Sequence, residues 1–287
     1  MVTADGRPLY SVLLPTHNRA DLLRLSIGSV LEQSEESFEI LVVADGCTDN
    51  TADVVNSFGD PRIRLFDLPK APNFGYANRN VALKEARGEL VAFMADDNIM
   101  FPDHLHRMAQ TFTRPAVQWA YSRPLWVRDD GLLVPFFVNL RGDLANWRFM
   151  NEWNPIPATN IVHRLSAYAD VGYWPEDVKS GGDYVLWKRI LGKYGRGSIG
   201  IDRMPTCLHF RAGWRKKTKW GPMPLRYLFA LADENRDWPG ALKLGLDPQK
   251  GSPQAQVAER LRDRPGRFTA SIRRGVNALQ DQLAWEA

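Results

Sequence analysis

The first hundred residues alternate short apolar runs with stretches of helical periodicity, and that rhythm constrains the fold more than any other feature of the chain. Tyr10 to Pro15 is an apolar run ended by a proline, and Arg19 to Gln33 then sets Leu22, Leu25, Ser26, Val30 and Leu31 at helical spacing. Phe38 to Ala44 reads as a second buried strand. It is followed by the turn Asp45-Gly46-Cys47-Thr48 and a helix through Phe58, for which Thr48 or Asp49 offers a cap. Ile63 to Leu68 is a third strand, Tyr76 to Ala86 a helix stopped by Gly88, and Leu90 to Ala95 a fourth strand. Repeated units of this kind imply right-handed crossovers, and so an α/β fold: a Rossmann-like, mostly parallel central sheet flanked by helices.

After residue 100 the rhythm changes. The spacing predicts a helix over Pro102 to Phe112 and strands over Gln118 to Val127 and Leu132 to Leu140, the last two joined around an Asp-Asp-Gly turn at 129 to 131. A Trp- and Asn-rich connection without assigned structure runs to Pro157. Helices are expected over Ser166 to Val171 and Asp183 to Lys193, and short strands over Ser198 to Ile201 and Cys207 to Phe210. The tail beyond Lys250 is rich in Pro, Gly, Gln and Arg and closes in an amphipathic stretch, Phe268 to Trp285, for which packing on the domain is the default.

Composition narrows the function classes. With 287 residues, 44% hydrophobic and 24% charged, the chain can bury a full core. The formal charge of +4 suits an anionic ligand but is small for a nucleic-acid binder. Cys47 and Cys207 form no C-x-x-C pair, so neither a disulfide framework nor a thiolate metal site is indicated, and a reducing cytoplasm is the expected setting. No run of about eighteen apolar residues occurs, so no membrane span is expected, although peripheral contact at the inner membrane face stays open.

The chemistry-bearing feature is the end of the fourth strand. Phe93-Met94-Ala95 runs directly into Asp96 and Asp97, and parallel strands present ligands at their carboxyl ends. Two carboxylates there suit a hard divalent cation such as Mg²⁺ or Mn²⁺, which takes oxygen ligands and shares them with substrate phosphates. A turn or helix cap is the alternative use of the same residues.

Four segments in order, Ser11-Val12-Leu13-Leu14-Pro15-Thr16-His17-Asn18-Arg19, Val42-Val43-Ala44-Asp45-Gly46-Cys47-Thr48-Asp49-Asn50-Thr51, Asn73-Phe74-Gly75-Tyr76-Ala77-Asn78-Arg79-Asn80 and Gly88-Glu89-Leu90-Val91-Ala92-Phe93-Met94-Ala95-Asp96-Asp97, resemble the signatures of family 2 glycosyltransferases with a GT-A fold. The resemblance covers roughly residues 10 to 210. It implies transfer of a sugar from a nucleoside diphosphate donor to an acceptor hydroxyl with inversion at the anomeric carbon, usually with bound Mn²⁺ or Mg²⁺. It also implies a glycosyltransferase domain over 1–222, with a nucleotide-binding half at about 1–100 and an acceptor half at about 101–222, and a C-terminal helical extension over 223–287.

Residue by residue, the resemblance assigns Pro15, Thr16, Asn18 and Asp45 to the nucleoside and Arg79 to the base or the diphosphate. Asp96 goes to the ribose or a metal-bound water, and Asp97 to the metal. Asn154 to Arg164, with Asn160, resembles the segment lining the donor sugar. Ser180-Gly181-Gly182-Asp183-Tyr184-Val185-Leu186-Trp187 resembles the element carrying the general base, which makes Asp183 the proton acceptor. Gly181 and Gly182 would allow close approach of a sugar, and Trp187 offers either an apolar wall or a core ring. Gly182 stands where the family has Glu. His209 is a candidate third metal ligand, and Arg215, Lys216 and Lys217 a candidate diphosphate loop, with a solvated basic face as the alternative. The donor base (UDP, dTDP or GDP) and the acceptor, whether a glycan, a lipid-linked or a small-molecule hydroxyl, stay undecided, and a homo-oligomer stays open. A nucleotidyltransferase would need a glycine-rich phosphate loop after the first strand, which Pro15-Thr16-His17-Asn18-Arg19 lacks. A catalytically silent sugar-nucleotide or glycan binding protein is the second reading, kept open by Gly182.

Overall fold

A computed structural model describes residues 6–210, 223–235 and 237–283, with side chains in the helix that opens at residue 223 described from 229 onward. The fold is a mixed α/β domain built on a seven-stranded sheet. Its first half follows the alternation read from the sequence: β1 (Tyr10–Thr16), α1 (Ala20–Leu31), β2 (Phe38–Asp45), α2 (Thr51–Asn56), β3 (Ile63–Leu68), α3 (Tyr76–Lys84) and β4 (Leu90–Phe93). β2 is buried along its whole length and β4 likewise, as apolar strands covered on both faces must be. β1 pairs in parallel with β2 and with β4, and β2 with β3.

The second half is β5 (Ile99–Met100), α4 (His104–Thr111), β6 (Trp119–Ser122), β7 (Leu125–Val127), β8 (Leu133–Pro135), α5 (Asp143–Asn151), β9 (Ile161–Arg164), α6 (Ala167–Val171), α7 (Gly182–Tyr194), β10 (Ile199–Asp202) and β11 (Cys207–Phe210). The large sheet has the order β10-β6-β9-β4-β1-β2-β3, and β9 runs antiparallel to both β4 and β6. A small second sheet has the order β5-β11-β7-β8.

Several expected elements divide or appear anew. The single strand expected over Gln118 to Val127 is two strands in two different sheets, because Arg123-Pro124 interrupts it and proline has no N–H to give to a ladder. The strand expected over Leu132 to Leu140 stops at Pro135, whereas the hairpin around residues 129 to 131 forms as expected. The connection before Pro157 contains the helix α5, and the segment after it contains β9, a central strand. His163 on β9 is fully buried, and burial lowers its pKa to about 4, so it stays neutral inside the sheet.

Apolar side chains fill three regions. One lies on the sheet face covered by α3, α6 and α7 and holds Phe93, Trp119 and Trp187. A second, on the other face, holds Leu23, Ile27 and Met108. The third joins the small sheet to the C-terminal helices α8 (Met223–Glu234), α9 (Pro253–Asp263) and α10 (Pro265–Gln282) through Phe101, Leu125, Val257, Ile272 and Val276. The amphipathic tail thus packs on the domain. α9, within the expected helical extension, is started by Ser252, whose hydroxyl accepts from Ala255 N at 3.1 Å. Cys47 and Cys207 are both free thiols. Among the described residues no helix is long and apolar enough to cross a membrane.

Arg273 on α10 grips Asp103, at the start of α4, with two hydrogen bonds of 2.8 Å. Burial opposes the Asp103 charge, but Arg273, assisted by Arg107, holds its carboxyl below the ordinary value. The stabilisation is therefore complete above the unfolded value of about 3.9 and is lost as pH falls through the lower folded value. Asp103→Asn is expected to lower stability by about 2 kcal/mol at neutral pH. In urea unfolding at a series of pH values its deficit should close in strong acid; a deficit independent of pH would contradict this account.

Candidate functional site

The register of the parallel strands gathers the candidate residues at one edge. Thr16 pairs with Ala44, which puts Asp45 one residue beyond it, and Leu13 pairs with Phe93, so that Asp96 and Asp97 leave the sheet just past β4. Thr16 Oγ1 donates to Asp96 Oδ2 at 2.9 Å across those two strands. Asp96 and Asp97 are both buried. Burial raises the Asp96 carboxyl above its ordinary value, with Arg19, Thr16 and Arg79 pulling it down.

Arg19 is the residue that sequence reading missed. Its Nη1 lies 2.9 Å from Asp96 Oδ1 and 3.1 Å from Asp97 Oδ2, so one guanidinium nitrogen bridges both carboxylates. A cation directly before the first helix and after Pro15-Thr16-His17-Asn18 was the available signal. Gln254, from α9, was also missed. Its Nε2 donates to the Asp97 carbonyl at 3.4 Å and ties the C-terminal helices to this loop.

Arg79 faces the same edge from α3. Nη1 donates to Asp183 Oδ1 at 3.2 Å, and the same charge acts on Asp96. Its guanidinium lies over Tyr76 at 5.1 Å and Trp174 at 5.6 Å, a cation–π seat that fixes its direction. Asp183 sits in the first turn of α7, and its side chain is 31% exposed. Arg79 is thus ion-paired with Asp183.

Other expected residues stand in different settings. Asp45 accepts from Ala71 N at 2.8 Å, Asn78 Nδ2 at 2.7 Å and Lys70 Nζ. Burial works against its charge, but these donors hold its carboxyl below the usual range. Gly75 permits this packing, since a Cβ there would lie 2.4 Å from Asp45 Oδ2 and the residue has φ +71°. Pro15 lies within β1. The Asn18 side chain accepts from Thr48 N at 2.7 Å and clamps two loops together, while Asp49 Oδ2 accepts from Ala20 N at the start of α1.

Two of the expected residues lie in the interior. Asn160 is fully buried, and its Nδ2 donates to Ser122 Oγ at 2.9 Å and Arg123 O at 3.2 Å, so it braces the end of β6. Trp187 takes the core position of its two expected settings: one turn after Asp183 the face of α7 already lies over the sheet, and the ring is buried among Phe93 and Trp119. Gly181 precedes α7 at an open position. Gly182 is occupied from the side: Tyr76 Oη accepts from Gly182 N at 2.9 Å, and a Cβ would meet the Tyr76 ring at 2.6 Å. That ring takes the space that any side chain at this position would need.

His209 is on β11. Its Nδ1 lies 2.9 Å from Asn98 Nδ2, and its ring stands edge-on to Trp126 at 4.3 Å. Among the described residues no group of three His, Cys, Asp or Glu side chains is arranged to hold a metal. The oxygen pair of Asp96 and Asp97 nevertheless fits Mg²⁺ or Mn²⁺, which uses one or two carboxylates and completes its shell with phosphate and water. Arg215, Lys216 and Lys217 lie outside the described residues.

A mostly parallel sheet with carboxylates and arginines at its carboxyl edge places the chain among the α/β folds that bind ligands at that edge. Residues 11–153 match the model of the family described as glycosyl transferase family 2, and the chain belongs to that family. It is 30% identical over 128 residues to the UDP-Glc:alpha-D-GlcNAc-diphosphoundecaprenol beta-1,3-glucosyltransferase WfgD of Escherichia coli, covering 45% of this chain and 50% of the relative. The S. aureus TarS structure in complex with UDP-GlcNAc aligns with TM-score 0.59 and 20% identity, over 91% of this chain and 73% of that one. The mannosyltransferase PcManGT from Pyrobaculum calidifontis, in complex with GDP-Man and Mn²⁺, aligns with TM-score 0.51 and 20% identity over 98% and 88%. The chain spans less than two thirds of the curated relatives' length, 45% in the case of protein CgeD of Bacillus subtilis.

Two outcomes are expected. Arg19→Ala strands two buried carboxylates and should cost about 3 kcal/mol. Mn²⁺ should raise the variant's melting temperature more than the parent's, and an equal rise would separate Arg19 from the cation site. Gly182→Ala should cost about 1–3 kcal/mol through the Tyr76 clash. Gly192→Ala, on the same helix with nothing within 4 Å of its Cβ, should be neutral or stabilising in the same thermal melts.

Proposed function

We propose that the chain transfers a sugar from a nucleoside diphosphate sugar to an acceptor hydroxyl, with inversion, and that Asp183 is the general base. The observation that carries this reading is the Arg79 guanidinium, which hydrogen-bonds Asp183 at 3.2 Å while its charge acts on Asp96. On this reading the strand-edge carboxylates and the proton acceptor border one space. In-line displacement needs nucleophile and leaving group on opposite faces of the anomeric carbon. Asp183 is exposed enough to reach an incoming hydroxyl, and its hydrogen bond with Arg79 orients the carboxylate. The acceptor proton passes to Asp183 as the hydroxyl oxygen bonds to the anomeric carbon and the bond to the diphosphate breaks. One base and no enzyme nucleophile give inversion.

Asp97 and Asp96 would hold the Mn²⁺ or Mg²⁺, which when bound supplies positive charge to the departing diphosphate. Arg19 and Arg79 add fixed cationic charge at the same edge, which favours the transition state over the less charged ground state. Thr16 and Asp45 border the nucleoside side. UDP and GDP sugars are the first donors to test, supported by the donors in the names of WfgD, TarS and PcManGT.

Asp183→Asn should lower turnover by roughly a thousandfold, within the span of a lost general base, while keeping the fold and UDP binding. Asp97→Ala should lose Mn²⁺-dependent thermal stabilisation by UDP. Full turnover in Asp183→Asn would end the assignment. Donor binding without transfer or donor hydrolysis in the parent chain would favour a silent binding protein.

A further inference from the structure

A second, shallow cleft opens on the carboxyl edge of the large sheet, away from the donor residues. It is bordered by Tyr121 and Arg123 at the end of β6, by Phe137 and Asn139, and by Asp202 and Arg203 at the end of β10. β4 and β6 are both antiparallel to β9, so they run parallel to each other, and Ala92 and Ala120 share Val162 as partner. The exits of β4 and β6 therefore lie on the same edge, about 10 Å apart at two strand spacings. Tyr121 belongs to the apolar region that also contains Trp187 of α7, so the cleft opens on the face from which Asp183 acts.

Its charge is one-sided. Arg123 is only 7% exposed; its Nη1 donates to Gln280 Oε1 at 2.6 Å and its guanidinium lies 4.5 Å from the Phe137 ring. Burial, then repulsion from Arg203, lowers its pKa to about 10. Arg141, Arg123 and Arg203 all act on the Tyr121 hydroxyl. The carboxylate in the cleft, Asp202, is already gripped by Arg107, with Nε at 2.7 Å and Nη2 at 2.8 Å. Arg203 is exposed and forms no ion pair among the described residues. Two guanidiniums, one buried and one exposed, repel each other across a cleft whose acid is spoken for; a shared anion relieves that repulsion.

We propose that this cleft seats a phosphate group carried by the acceptor, held between the Arg123 and Arg203 guanidiniums, so that the acceptor hydroxyl is presented toward Asp183. This rests on the reading of the chain as a glycosyltransferase. Guanidiniums match phosphate oxygens with paired, charge-assisted hydrogen bonds, and Phe137 backs Arg123 so that its fork is held before the ligand arrives. The phosphate can come from a soluble phosphorylated molecule or from a lipid headgroup.

The test is calorimetric titration of the full chain with glycerol 3-phosphate in the presence of saturating UDP and Mn²⁺, which fill the donor side. The parent is expected to bind saturably, Arg203→Ala about tenfold more weakly, and Arg203→Lys in between. Arg123→Lys, which keeps the charge but not the fork, should also weaken binding. In a second arm, sedimentation with phosphatidylcholine vesicles containing phosphatidic acid reports the lipid source, if Arg203→Ala abolishes capture; binding of glycerol 3-phosphate without capture reports the soluble source. Absence of binding in both arms, or equal binding by parent and Arg203→Ala, overturns the proposal. UDP binding is measured in the same preparations. A chain that binds glycerol 3-phosphate through Arg203 but not UDP keeps the phosphate site and loses the transferase reading.

Discussion

Parallel pairing of β1 with β2 on one side and β4 on the other is the constraint from which the site follows. Because the three strands run the same way and in fixed register, Thr16, Asp45 and Asp96 arrive at one edge, where backbone leaves the core and polar side chains can meet a ligand. The crossovers α1 and α3 start at that edge as well, so Arg19 and Arg79 stand beside the carboxylates. β9, inserted antiparallel beside β4, then carries the sheet on to β6 and β10 and extends the same edge into the second half of the chain.

The electrostatics of this edge are a balance between buried acids and a few well-held cations. Burial alone would push Asp96 toward its protonated form; Arg19, Thr16 and Arg79 oppose that. Arg79 is in turn braced by Tyr76 and Trp174, and Tyr76 also receives the backbone N–H of Gly182. The Tyr76 ring thus links the direction of Arg79 to the position of the helix that carries Asp183. A substitution at any of these three residues is felt by the others, since they share contacts and charge.

Legibility varied with the range of the interaction involved. β3 and β11 end where periodicity placed them, because a short apolar run bounded by turn residues is a local signal. β9 and α5 were not read. Ile161–Arg164 is a short stretch whose strand state comes from neighbours on both sides, and Asp143–Asn151 mixes exposed Leu144 and Trp147 with buried Phe149. Among the site residues, Asp96, Asp97, Arg79 and Asp183 were visible as acids and a base at element ends. The core position of Trp187 was one of two readings and that of Asn160 was not read, since which face of a helix or loop meets the sheet depends on packing.

By itself, the sequence determined the alternating first half, the acidic exit of the fourth strand and the order of motifs, all of which are written in local apolar periodicity and residue type. Only the tertiary structure decided that Arg19 bridges Asp96 and Asp97, that Arg79 pairs with Asp183, that Tyr76 fills the place beside Gly182, and that Arg123 and Arg203 line one cleft. Those pairings connect residues from 77 to 106 positions apart, and no local preference specifies which distant group a side chain will meet. Strand register and helix packing specify it, because burying the apolar faces leaves each of these groups little choice of partner.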